Sequence, residues 1–184
     1  SRLVSDGTNK KLDAECTKTT TWIVQLFRRM IEKQWGMTID ERDEDGGEEE
    51  DVAAEPVVLV LNKYGVTTLC VDLIAVGMDG TLVLEAIKLC VAMLFKEGGN
   101  TLVQTTINKH LNNTNSELFF REIQLQSGRI RRFYEFEDIV PCEDEDDDPT
   151  VPNNLIVLRF LQLMAEGHYE PNQDVVRDQE NNNR

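Results

Sequence analysis

The chain has 184 residues, is 40% hydrophobic and 29% charged, and carries a formal net charge of −15, a length suited to one sizeable domain or two small ones. The acidity is local: ten acids lie within residues 40–55 and six within 143–148, and apart from these and Arg42 the acids and bases balance. There is thus no broad basic surface for nucleic acid, and no apolar run reaches the roughly 18 to 20 residues that a bilayer-spanning helix needs.

The chain opens Ser1-Arg2-Leu3 without methionine or a signal-type apolar core, so we expect a piece of something longer or a processed product. In residues 1–39, Trp22, Ile23, Leu26, Met30 and Ile31 recur at helical spacing, and Gly36 supplies a stop. The threonine run before Trp22 lowers helix propensity near the start of that element. Residues 40–56 read as an acidic linker too polar to bury itself.

Residues 57–140 form the central region. Val57 to Leu61 could pass as a buried strand, but Leu69, Leu73 and Val76 continue a spacing of three or four. A helical stripe follows at Leu84, Ile87, Val91, Leu94 and Phe95, interrupted by few charges, Glu85 and Lys88 among them. Gly98 and Gly99 then stop that helix, and Asn100 is a good N-cap for the next. Thr114 and Glu117 have capping-box spacing before Phe119 and Phe120. The basic cluster Arg129, Arg131 and Arg132 reads as a solvated helix face or as partner to nearby acids.

Residues 141–152 form a second acidic linker, in which Pro149 and Pro152 hold off helix until about Asn153. Residues 153–184 begin with a helix to Glu166 that is apolar on most sides and therefore expected to be central and buried. The predicted fold class is all-α: an armadillo-like helical repeat or solenoid segment with two acidic linkers. No residue-level repeat of fixed period accompanies it.

Tests for chemistry return little. Aligning Gly46 with position 6 of an EF-hand loop seats Glu41, Asp43 and Asp45, but position 12 is Val52, so the closing carboxylate is missing. His110 and His168 lie in no zinc motif, and there is no GxSxG, P-loop or GxGxxG. No nucleophile stands with a base, so we expect no enzyme. Cys16, Cys70, Cys90 and Cys142 are widely spaced with no CxxC pair, which suits a reducing compartment.

Several stretches together, "NKYGVTTLCVDLIA", "EAIKLCVAMLFKEGGNTLVQ", "NSELFF" and "LRFLQLMAEGH", resemble the homology-associated region of intracellular calcium-release channels. That family comprises the inositol trisphosphate receptors and the ryanodine receptors. The likeness runs from about Tyr64 to Gln173, carried by GGN-x-x-x-Q (Gly98, Gly99, Asn100, Gln104) and RFLQL-x-x-E (Arg159 to Leu163, Glu166). "GGNT" and "SE-x-FF" look more like the inositol trisphosphate side, and "EGH" more like the ryanodine side.

The resemblance implies a cytoplasmic helical domain near the pore of a homotetrameric channel, at the endoplasmic or sarcoplasmic reticulum membrane. Its partners would be other domains and subunits of the same channel, with no membrane contact by this segment itself. It also implies that Glu166 is one carboxylate of an activating Ca²⁺ site, whose other ligands this chain does not contain. A carboxylate at the C-terminal end of a helix suffers from the negative end of the helix dipole, and a divalent cation relieves it. The plain alternative is that Glu166 reaches solvent or pairs with Arg159 or His168. The alternative function is a free-standing helical-repeat scaffold that binds another protein.

Overall fold

The computed structural model describes residues 2–40, 56–95, 100–114, 116–136 and 150–177. Among these residues lie eight α-helices: α1 Arg2–Asp40, α2 Val57–Lys63, α3 Val66–Val76, α4 Gly80–Leu94, α5 Thr101–Asn113, α6 Ser116–Phe136, α7 Thr150–Ala165 and α8 Glu170–Arg177. No strand occurs among the described residues, so the fold is all-α. Residues 41–55 and 137–149 lie outside the described set, and with them nearly all of both acidic runs, the EF-hand-like stretch and Cys142. Gly98 and Gly99, the expected stop of α4, and the side chains of Arg129, Arg131 and Arg132 lie outside it too.

Local chemistry sets the helix limits, and it corrects several expectations. Helix α1 reaches back to Arg2, through the threonine run. There the hydroxyls of Thr19, Thr20 and Thr21 donate to the carbonyls of Glu15, Cys16 and Thr17 at 2.9, 2.9 and 2.8 Å, so each finds a partner inside its own helix. Gly36 does not stop the helix, which continues to Asp40; one interior glycine costs only about 1 kcal/mol. The segment "VVLVL" is helical, and the helix breaks after it at Gly65, which has φ +82°. Asp79 caps α4 by accepting from the amides of Thr81 and Leu82 at 2.9 and 3.0 Å.

Asn100 caps α5 as its sequence context predicts, with Oδ1 accepting from Val103 N, while its Nδ2 donates to the Met93 carbonyl at 3.0 Å. Thr114 does otherwise than expected: its hydroxyl donates to the His110 carbonyl at 2.8 Å and closes α5. Pro152 lies inside the first turn of α7, where its missing N–H has no intrahelical role, so the helix starts at Thr150 and not at Asn153.

The central element is α4, not α7. Helix α4 packs against α1, α3, α5 and α7 and buries ten side chains, including Ile87, Leu89 and Met93. Helix α7 buries Val157, Phe160, Leu163 and Met164 but leaves Leu155 and Leu158 about half exposed, so its apolar composition overstated its burial. The ring of Phe160 meets Phe119 of α6 edge-on, 6.2 Å between centroids.

Many contacts join helices three apart in chain order: α1 with α4, α4 with α7, α3 with α6, and α5 with α8. The α1–α4 seam also holds a buried charge: the Glu85 carboxylate accepts from Arg28 at 3.3 Å and from Lys88 at 3.0 Å. No single described helix is long and apolar enough to cross a membrane, and α2 and α3, which reach that length together, are bent by 67°.

Candidate functional site

Helix α7 ends at Ala165 and passes into a 3₁₀ turn, Glu166–His168, before α8 begins at Glu170. The reversal is made by two successive left-handed residues, Gly167 at φ 69° and His168 at φ 60°. Glycine adopts that region freely, whereas His168 is the single non-glycine residue with positive φ among those described.

A helix ends with carbonyls that have no partner in its own ladder. Here three side-chain amides from neighbouring helices take them. Gln104 of α5, 1% exposed, donates through Nε2 to the carbonyls of Leu163 at 2.9 Å and Glu166 at 3.0 Å. Asn172 of α8, fully buried, donates through Nδ2 to the Met164 carbonyl at 2.9 Å and to the Gln104 carbonyl at 3.4 Å. Gln173 donates to the Ala165 carbonyl at 3.2 Å. Tyr169 and Asn108 add further ties, to Thr105 and to the Pro171 carbonyl, at 3.0 Å each. Glu166 therefore stands on a backbone held from two sides.

Its side chain is half-buried, and one carboxylate oxygen, Oε2, is buried with no hydrogen-bond partner among the described residues. Neither predicted pairing forms. Arg159 donates instead to Gln162 at 3.0 Å and lies over the Phe95 ring at 5.6 Å, and His168 is exposed. Asn172 Oδ1, in the same amide cluster, is likewise buried with no partner among the described residues. The carboxylate sits at the negative end of α7.

Among the described residues no group of three or more His, Cys, Asp or Glu side chains gathers to hold a metal ion. Glu166 can thus contribute an oxygen to a hard cation but does not form a site with its described neighbours. Asn100 and Gln104 of the GGN-x-x-x-Q motif take structural roles, one capping α5 and one gripping the end of α7. His110 pairs with Asp72 of α3 at 2.7 Å.

Sequence reasoning missed Asn172 and Gln173. For Gln104 a signal exists: it shares a helical stripe with Ile107 and Leu111, three and seven residues on, which places an amide on a buried face. Compared with protein-family models, with curated proteins and with solved structures, the chain matches none. Among the described residues, fold and site together define an all-α arrangement with an amide-clamped turn that holds one buried carboxylate oxygen without a partner.

Proposed function

We propose that this chain is a non-enzymatic segment of the cytoplasmic regulatory region of a tetrameric intracellular Ca²⁺-release channel, at the endoplasmic or sarcoplasmic reticulum membrane. The observation that carries the reading is Glu166 Oε2: a buried carboxylate oxygen with no donor among the described residues, at the negative end of α7, on a turn clamped by Gln104, Asn172 and Gln173. Leaving such an oxygen unpaired is unfavourable, and a Ca²⁺ ion satisfies it. A specific Ca²⁺ site takes 6 to 8 oxygens, so the remaining ligands come from other parts of the channel.

Ca²⁺ bridging Glu166 to those parts favours one relative packing of rigid bodies, and its differential affinity shifts the gate. Helix α7 carries the pull inward because it packs on α4 and α6. The three-apart helix contacts support an armadillo-like stack, since three-helix repeats bring equivalent helices of successive repeats together. The second reading, a free-standing scaffold, draws on the exposed apolar face of α1. The complete open reading frame separates the two. A set of transmembrane helices downstream supports the channel; a frame with none rejects it in favour of the scaffold.

A further inference from the structure

The turn that carries Glu166 has little packing of its own. None of its three residues, Glu166 to His168, is buried, and Gly167 and His168 are exposed. His168 stands at φ 60°, where a non-glycine residue stays only if its surroundings hold it there.

Much of that hold comes from one face of α5, at Gln104, Thr105 and Asn108. Gln104 Nε2 grips the carbonyls of Leu163 and Glu166 at 2.9 and 3.0 Å. The Thr105 hydroxyl gives its hydrogen to the Thr101 carbonyl at 2.7 Å, so Tyr169 O–H donates to Thr105 Oγ1 at 3.0 Å. Asn108 Nδ2 donates to the Pro171 carbonyl at 3.0 Å, and the Gln104 carbonyl accepts from Asn172 at 3.4 Å. Helix α5 is thus bonded to the chain before Glu166, at Glu166 and after it. Hydrogen bonds of amides and hydroxyls are narrow in distance and angle, so these ties fix a position as well as a strength.

We infer that α5 sets the Ca²⁺ affinity of the Glu166 site, with Gln104 as the positioning residue; this rests on the reading of Glu166 as a Ca²⁺ ligand. Gln104 touches no cation. It holds the Glu166 carbonyl, and through it the backbone from which the carboxylate extends. Calcium takes its oxygens within a few tenths of an ångström, at about 2.3–2.6 Å, and a ligand already in place binds without the cost of being ordered. Without the amide, the two left-handed residues relax and the carboxylate spreads over positions that miss an ion held by other parts of the channel.

The test records Ca²⁺-dependent opening of the whole tetramer carrying Gln104→Leu, Glu166→Gln, or both. Gln104→Leu is expected to raise half-activating Ca²⁺ about tenfold while keeping the opening reached at saturating Ca²⁺. In the Glu166→Gln channel it should add less than about twofold, because the carboxylate it positions is gone. Gln104→Met, unbranched and without an N–H, should give the same shift and serves where the leucine variant does not assemble. With Glu166→Gln shifted, the inference is overturned if both Gln104 variants follow the parent's curve. It is overturned equally by a full tenfold added in the Glu166→Gln channel, by reduced opening at saturating Ca²⁺ with half-activation unmoved, or by failure of both variants to assemble, each of which makes Gln104 a structural residue only. A Glu166→Gln curve that coincides with the parent's instead removes the Ca²⁺ reading of Glu166, and this inference with it.

Discussion

Replacing Gln104 by leucine keeps the volume of a buried side chain and removes its amide. Gln104 is 1% exposed, and its Nε2 serves two carbonyls, Leu163 at 2.9 Å and Glu166 at 3.0 Å. A buried acceptor deprived of its donor costs about 1–3 kcal/mol. The Leu163 contact is buried and the Glu166 contact only partly so, which puts the sum at about 2–4 kcal/mol. Gln104→Glu should cost more at neutral pH, because it aims a carboxylate at two carbonyls and at the negative end of α7. Burial raises that introduced carboxyl's pKa, so its penalty is present above the raised value and eases as pH falls through it. Urea unfolding followed at 222 nm measures both, with the exposed Gln124→Leu as a control expected within about 0.5 kcal/mol of the parent. If Gln104→Leu proves as stable as that control, the amide clamp does not hold the end of α7.

Other expectations follow from the core. Glu85→Ala takes from Arg28 one of its two carboxylate partners and leaves it Glu32 at 2.7 Å; because the two cations facing Glu85 are 24% and 27% exposed, the loss is expected near ~1 kcal/mol. The double variant Arg28→Met, Glu85→Leu should recover much of it in the same urea assay, and no recovery would contradict a purely electrostatic role. Gly77→Ala should lower the melting temperature at a cost of about 1–2 kcal/mol, since Gly77 has φ +61° and an added Cβ would lie 2.9 Å from Glu122 Oε2; an unchanged melting temperature would speak against that geometry. A hydrogen bond with Cys70, burial and the charge of Cys70 all push the Cys90 thiol well above the ordinary cysteine range, so it stays protonated at pH 8. Iodoacetamide should then label the exposed Cys16 in the native chain and Cys90 only after unfolding, as read by peptide mass mapping; equal labelling rates would refute this.

What the sequence discloses depends on how far apart the causes lie. Helix type is local, and the three-to-four spacing of Leu84, Ile87 and Val91, or the cap at Asn100, is readable within one window. The ends are harder. Thr114 has the right spacing for a capping box, yet its hydroxyl turns back to His110, a choice made by the geometry of α5. Burial misleads when composition is uniform: α7 and α4 are both largely apolar, but α4 is flanked by four other helices and α7 by three. The site is split in the same way. Glu166 stands out as an acid ending an apolar helix, whereas its clamp is made by Gln104, 62 residues away, and by Asn172, six residues on but in the next helix, where only the chain reversal at Gly167 and His168 brings it back. The Arg28–Glu85 pair spans 57 residues and is equally invisible before folding.

The central claim is that Glu166 contributes a Ca²⁺ ligand shared with parts of a channel beyond this segment. It is tested most directly by recording the Ca²⁺ dependence of opening in the whole tetramer carrying Glu166→Gln, which keeps the shape of the side chain and removes its charge. Ligation predicts activation moved about tenfold or more toward higher Ca²⁺, each tenfold corresponding to about 1.4 kcal/mol of lost site affinity. An activation curve that coincides with the parent's would contradict it.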